Sequence, residues 1–331
     1  MSGIRKTMKN NILITGATGF VGSHMADYIL ENTEDKIFAT KRWMEDIQNV
    51  QHLVNNPRFC FVDCDLLDGL SVVRALGVVK PDKVFHFAAQ SFPEVSFKTP
   101  IITLQTNIIG TTHLLEAIKN SDHDPTIVSV SSSEVYGNPK ESELPIKETN
   151  PIRPANPYSI SKVGHDLMSS YYHKAYKMKI IITRMFSHEG ARRGKEFALS
   201  SFAYQIAKAE KSINPQDWVV HHGNLNSVRT YNHIDDAIKA YWLCSEAEKW
   251  GEIYNIGGDY TCTVGEALDL LISKSEKPFK KILDPARVRP TDITLQIPDS
   301  SKFRNDFNWK PTKDIEDICE DLLNYWRGKL G

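Results

Sequence analysis

Short apolar runs rich in β-branched and aromatic residues alternate with longer stretches of helical periodicity through the first two thirds of the chain. Asn11–Thr15, Lys36–Thr40, Arg58–Asp63, Lys83–Phe87 and Thr126–Val130 read as strands with helices between them. That alternation predicts an α/β architecture built on a doubly wound parallel sheet. The segment Pro157–Lys177 reads as a helix with proline at its start, and the apolar run Lys179–Thr183 as a sixth strand that completes the sheet. Beyond about Gly190 the pattern changes. Helices at Phe197–Ala209, Ile234–Glu248 and Val264–Ser275 are joined by loops rich in Asn, Gly, Pro and Arg, which are candidates for substrate contact. A closing helix around Ile315–Arg327 gives the C-terminus an ordered end, and no internal repeat is visible. The expected division is residues 1–190 as a cofactor domain and residues 191–331 as a smaller, mixed α/β substrate lobe, with some chain crossing back between them.

At 331 residues the chain has room for both lobes with a cleft between them. Hydrophobic residues at 41% and charged residues at 24% allow a sizeable core without metals or disulfides. A net charge of -1 with interspersed signs argues against nucleic acid or an acidic membrane as partner. The five cysteines, Cys60, Cys64, Cys244, Cys262 and Cys319, form no CxxC pair and no zinc spacing, so reduced, buried thiols are expected. The start, MSGIRKTMKNNILITG, has a basic stretch without an apolar leader, and no run of about 18 apolar residues follows, so the expected location is the cytoplasm.

Candidate chemistry begins where the first strand meets Thr15-Gly16-Ala17-Thr18-Gly19-Phe20-Val21-Gly22. A GxxGxxG loop that opens a helix lets the backbone approach a pyrophosphate, which the helix N-terminus then favours. This makes the sheet Rossmann-type and places Gly16, Thr18, Gly19, Phe20, Val21 and Gly22 at a dinucleotide. At the end of the second strand, where an NAD enzyme usually carries an acid for the ribose 2′-hydroxyl, stand Lys41 and Arg42. Two cations suit a 2′-phosphate, so NADP is expected in preference to NAD. Asp65 and Leu66 after the third strand, and Phe87, Ala88, Ala89 and Gln90 around the end of the fourth, fall where the adenine and cofactor backbone would lie.

After the fifth strand comes Ser131-Ser132-Ser133-Glu134-Val135-Tyr136-Gly137, and some residues later Tyr158-Ser159-Ile160-Ser161-Lys162. In a helix Tyr158 and Lys162 lie one turn apart on one face, so the ammonium can lower the phenol's pKa and touch the nicotinamide ribose. The expected result is a tyrosinate base near neutral pH.

The set TGATGFVG, FAAQS, SSSEVYG and YSISK resembles the extended short-chain dehydrogenase/reductase superfamily over nearly the whole chain. Within it, the run from Arg184 to Gly194 and the segment Gly223-Asn224-Leu225 with Arg229 are similar to GDP-mannose 4,6-dehydratases. The resemblance implies that His188 and Arg193 help hold NADP. It implies that Ser91, Glu134, Ser187, Asn224, Arg229, Arg289 and Asp292 meet a GDP-linked sugar, and that the loop carrying Arg42 reaches a neighbouring subunit of a homodimer or homotetramer. It also implies a mechanism. Tyr158, aided by Ser132 and Lys162, takes the proton of the sugar C4 hydroxyl as hydride leaves C4. Glu134 then removes the C5 hydrogen and assists loss of the C6 hydroxyl, before hydride returns to C6. The helical face around Ile101–Ile118 resembles a dimer contact.

Other readings stand beside this one. A C4 oxidoreductase or epimerase would use Ser132, Tyr158 and Lys162 alone, and Glu134 would then only cap a turn. Related GDP-4-keto-sugar reductases resemble the chain around Phe92-Pro93-Glu94 and Asp284-Pro285-Ala286-Arg287. A nucleotide-sensing protein without catalysis is disfavoured by the intact Ser, Tyr and Lys. Ser133, where glucose-type dehydratases carry Asp, favours the GDP-mannose branch over the dTDP-glucose branch. Ser187 in place of Asn, and Thr230-Tyr231 after Arg229, make a substrate such as a GDP-heptose credible. His52, His221, His222 and His233 have no partners at metal-ligand spacing, and no metal is expected. Tyr171, Tyr172, Trp242 and Trp250 read as packing residues.

Overall fold

The computed structural model describes residues 9–289 and 291–331. The basic start, apart from Lys9, lies outside the described residues.

Five strands, β1 (Asn11–Thr15), β2 (Lys36–Lys41), β3 (Phe59–Asp63), β4 (Lys83–His86) and β5 (Thr126–Val130), fall at or within a residue of the expected ranges. They alternate with helices α1 (Phe20–Asn32), α2 (Gly69–Val79), α3 (Pro93–Lys98), α4 (Pro100–Leu104) and α5 (Gly110–Lys119), the last two joined by a π-helical stretch, Gln105–Ile109. Helix α6 (Pro157–Tyr176) then leads into β6 (Ile180–Met185). It stops one residue early because Lys177 turns left-handed at φ 61° and returns its N–H to His173.

The sheet does not end at six strands. A seventh, β10 (Ile253–Ile256), pairs in parallel with β6, giving the order β10-β6-β5-β4-β1-β2-β3. Its four residues lie between Gly251 and Gly257 in a stretch that carries no strand-length apolar run, so nothing local announces it. Both faces of the sheet are buried, as continuous apolar strands require. Successive side chains point to opposite faces. Ile12, Ile14, Phe85, Val128 and Ile181 therefore pack in one core with α1 and α8 (Ile234–Ser245), while Leu13, Val84, Ile127, Ile180 and Ile182 pack in another with α2, α5 and α6.

The C-terminal lobe contains more strand than expected. β7 (His188–Glu189), β9 (Val228–His233), β11 (Tyr260–Thr263) and β13 (Leu295–Gln296) form a second sheet, and β8 (Val219–His222) pairs with β12 (Lys280–Leu283). A third core gathers α7 (Ala198–Ala209), α9 (Val264–Ser273) and α11 (Ile315–Leu330) around Phe202, Leu268 and Leu322. Helix α10 (Ser301–Phe307) closes beneath β10, with Phe303 and Tyr254 ring to ring at 5.6 Å.

Two of the aromatics read as packing residues are not. Tyr171 is 51% exposed on α6, and Trp250 lies outside any helix at 38% exposed. Tyr172 and Trp242 do pack against the cores. All five cysteines are free, and all but Cys60 are buried. No helix among the described residues is long and apolar enough to cross a membrane.

Candidate active site

The strand order reverses between β1 and β4, and the loops leaving these two strands meet there. In doubly wound sheets this is where a ligand crevice opens. Gly16 sits at φ +72°, and a Cβ on it would come within 2.8 Å of the Ala88 N–H nitrogen. A Cβ on Gly22 would come within 2.3 Å of the Gly16 carbonyl oxygen, so the third glycine is what lets α1 start so close to the strand. Gly19 caps α1 with no side-chain bond, leaving the first N–H groups of the helix for a ligand. These features fit a dinucleotide pyrophosphate. The cleft has a volume of about 1200 Å³, and every candidate residue named from the sequence lines it.

At the expected adenosine end, the two cations are not free. Lys41 Nζ lies 2.7 Å from Asp63, and Arg42 Nε lies 3.4 Å from Glu45. Glu45 also accepts a 2.8 Å bond from the Thr18 hydroxyl. Sequence reasoning missed this carboxylate, which stands four residues beyond the end of β2. Asp65 is held by Leu67 N–H at 2.9 Å and donates its own N–H to Ser71.

The chemistry end is built by the start of α6. Asn156 caps the helix, its Oδ1 accepting from Ser159 N–H at 2.8 Å, and Pro157 occupies the first turn. Tyr158 and Lys162 are thereby fixed one turn apart, both buried. Lys162 Nζ donates to the Val130 carbonyl at 2.7 Å, which ties it to the end of β5. Ser132 accepts from Glu134 N–H at 3.2 Å, and Glu134 Oε2 accepts from Asn156 Nδ2 at 3.0 Å.

The protein's own groups do not favour the expected tyrosinate. Burial pushes the Tyr158 phenol well up, and Glu134 pushes the same way; Ser132 and Arg193 pull against them. Lys162, expected to depress the phenol, directs one of its three N–H groups to Val130 and is itself lowered to about 8 by burial. Behind it lies a buried chain, Thr15–His86–Thr111–His165–Ser129, with bonds of 2.8–2.9 Å. Burial, and then Lys162, hold His86 down at about 3 and His165 well below the usual histidine range, so both rings stay neutral beside the ammonium.

From the other side comes the His188–Gly194 turn. The His188 ring stacks on Phe20 at 5.7 Å and is held at about 3, by burial first and Arg193 second. Its Nε2 is buried and finds no hydrogen-bond partner among the described residues. The Arg193 guanidinium lies 3.4 Å from the centre of the Phe197 ring and 3.6 Å from Glu189. Burial raises the Glu189 carboxyl, against Arg193. Glu189 also lines the cleft and was not singled out in the sequence, although it stands inside the run that carries the family resemblance.

The distal wall comes from the second sheet. Arg229, on β9, donates to the Val228 and Ile293 carbonyls and lies 3.9 Å from Asp292. Asp292 accepts from Asn224 at 2.8 Å and Ser227 at 2.7 Å, so it fixes the Asn224 loop. Arg287 and Arg289 complete this wall, and Ser91 and Ser187 lie in the same cleft. His52, expected to have a surface or hydrogen-bonding role, bonds Asp27 at 2.7 Å, and His233 lies 3.4 Å from Asp321.

A family profile described as GDP-mannose 4,6 dehydratase matches residues 13–322. A GDP-6-deoxy-D-mannose reductase of Pseudomonas aeruginosa is 26% identical over 98% of this chain and 99% of its own. A GDP-mannose 4,6-dehydratase of Vibrio cholerae is 27% identical over 96% of this chain and 93% of its own. Among solved structures, a dTDP-glucose 4,6-dehydratase of Bacillus anthracis in complex with NAD superposes with a TM-score of 0.81 at 27% identity, covering 97% of both chains. The Pseudomonas aeruginosa protein RMD, complexed with NADPH, gives 0.81 at 24% identity, over 97% of this chain and 100% of that one.

Proposed function

Because the chain belongs to the GDP-mannose 4,6-dehydratase family, we propose that it is a GDP-sugar 4,6-dehydratase acting on GDP-mannose or GDP-D-glycero-D-manno-heptose. The observation that carries this reading is Glu134, a carboxylate in the same cleft as Tyr158 and held by the residue that caps the Tyr158 helix. An enzyme that only oxidises or reduces C4 needs no base at C5.

A nicotinamide dinucleotide held by the glycine-rich loop would supply a reversible hydride acceptor, so that the reaction needs no outside oxidant or reductant. Tyr158 takes the C4 hydroxyl proton as the tyrosinate, a form that burial opposes and that the positive charge of an oxidised nicotinamide ring, together with Lys162, would favour, with Ser132 on the same oxygen. The C4 ketone acidifies the C5 hydrogen, which Glu134 removes as a proton and passes to the C6 hydroxyl as that group leaves as water. When hydride is restored at C6 a proton is restored at C5, balancing the one Tyr158 took from the C4 hydroxyl, so the sugar loses one water with no net redox change. His188 and Arg193 wall the nicotinamide end, and Arg229 and Arg289 face the diphosphate of GDP. Lys41 and Arg42 pull the choice toward NADP, against the pull of Asp63 and Glu45, the carboxylates paired with them. Residues 1–190 with β10 form the cofactor layer, and the rest of residues 191–331 the sugar-nucleotide lobe. Ile101, Ile102, Ile160 and Leu167, all at least 48% exposed on α4 and α6, are the proposed contact with a second copy. Free and mostly buried thiols suit a cytoplasmic enzyme.

A second reading, reduction or oxidation at C4, draws support from the reductase relative. Mass spectrometry separates the two. Purified protein is incubated with each GDP-sugar and no added reductant. Loss of one water from either substrate is expected; unchanged masses with both, or loss of two hydrogens only, would overturn the dehydratase.

A further inference from the structure

Resting on the reading of the glycine-rich end as a dinucleotide site, we infer that Glu45 holds down the preference for a 2′-phosphate that Lys41 and Arg42 create. It does so by accepting a bond from the ribose 2′-hydroxyl and by keeping Arg42 engaged. Glu45 lines the cleft together with Thr18, Gly19, Lys41, Arg42 and Asn49. Its Oε1 accepts from the Thr18 hydroxyl at 2.8 Å, and its Oε2 accepts from the Arg42 N–H at 2.8 Å and faces Arg42 Nε at 3.4 Å. Thr18 is fixed from the other side as well, its carbonyl accepting from Asn49 Nδ2 at 3.0 Å. The carboxylate is therefore tied to the glycine-rich loop and is about three-quarters buried, its side chain 24% exposed.

The charges close to zero. Lys41 is paired with Asp63 and Arg42 with Glu45, so two cations meet two carboxylates. A phosphate carrying nearly two negative charges finds no net positive field there, and takes Arg42 only at the expense of the contact with Glu45. A hydroxyl, by contrast, needs an acceptor, and a carboxylate is a strong one. No acid stands at the end of β2 itself, where residues 40 and 41 are Thr and Lys. The chain supplies the acceptor from the following loop instead.

Glu45 also closes a turn, its N–H donating to the Arg42 carbonyl at 3.2 Å, so the test must read something that turn closure does not move. Glu45→Gln keeps the shape and one acceptor oxygen and removes the charge. Calorimetric titration of the full chain with 2′,5′-ADP and with 5′-AMP compares two fragments that differ only at the 2′ position. Removing one charge a few ångströms from a partly screened phosphate should raise the 2′,5′-ADP to 5′-AMP affinity ratio about tenfold in Glu45→Gln. Glu45→Ser, read the same way, should move the ratio in the same direction. A ratio unchanged in both variants, with both fragments bound, overturns the inference and leaves the dinucleotide reading standing. An equal shift in Asn49→Ala, which loosens Thr18 without removing a charge, also overturns it. Failure of the unaltered protein to bind either fragment, or NAD or NADP, overturns the dinucleotide reading and the inference together.

Discussion

The Asn156 side chain donates to Glu134 at 3.0 Å while its oxygen caps helix α6 by accepting from Ser159 N–H at 2.8 Å. One amide thus sets the position of the proposed C5 base against the helix that carries Tyr158 and Lys162. Asn156→Ala should lower stability by about 1 kcal/mol through the lost cap and slow elimination as well. Asn156→Ser retains a capping oxygen but not the donor to Glu134, so it should unfold near the unaltered protein's midpoint and still eliminate slowly. Thermal denaturation and product mass, measured on both variants, check the separation.

Glu134→Gln preserves size and the contact with Asn156 but cannot take a proton from C5. With substrate it should still reduce bound cofactor, seen as nicotinamide absorbance, while losing formation of the dehydrated sugar by about two to four orders of magnitude. A C4 oxidoreductase would be little affected by the same change.

Lys162 is lowered by burial from 10.5 to about 8. Between those values the unfolded chain holds a proton at this position that the folded chain does not. Stability from this group therefore rises with pH from about 8 to 10.5 and is lowest below 8. Lys162→Met removes the effect. The difference in unfolding free energy, unaltered protein minus Lys162→Met, should climb by roughly 1 kcal/mol per pH unit across that window in denaturant titrations; a flat difference would contradict it.

The Arg184 guanidinium reaches Asp166 through two bonds, 2.8 and 3.1 Å, and also donates to the Tyr136 hydroxyl at 2.8 Å. All three groups are buried, so this pair joins β6, α6 and the segment that follows Ser132. Asp166→Ala would leave an uncompensated buried charge and should cost about 3–5 kcal/mol in denaturant unfolding, whereas exposed pairs such as Lys98–Glu94 should cost under about 1 kcal/mol.

Gly22→Ala places a methyl group 2.3 Å from the Gly16 carbonyl oxygen, which is backbone and cannot swing aside. Helix α1 must back away from the loop. Dinucleotide binding should fall by at least about tenfold in titration calorimetry, with a loss of stability of about 1–3 kcal/mol.

What the sequence made legible is what short-range pattern controls. The glycine spacing at Gly16, Gly19 and Gly22, the one-turn spacing of Tyr158 and Lys162, and the alternation of apolar runs each depend on neighbours within a few positions. The misses depend on distant partners. β10 is a strand because β6 offers it a parallel edge, not because Ile253–Ile256 would be one alone. Lys41 and Arg42 looked like free cations because Asp63, 22 positions on, and the turn that folds Glu45 back are visible only in three dimensions. The Tyr158 phenol goes up and not down because burial is a property of the whole cleft.

The late return of β10 to the sheet also shapes how the protein comes into being. On the ribosome, strands β1 to β6 emerge long before residue 253, so β6, every one of whose six residues ends up buried, waits with one edge unpaired. Such an edge is a template for association with other chains. A nascent chain truncated before Ile253 should therefore be retained by chaperones or aggregate, whereas one extended through α10 gains both the missing strand and the Phe303 side chain that packs beneath it.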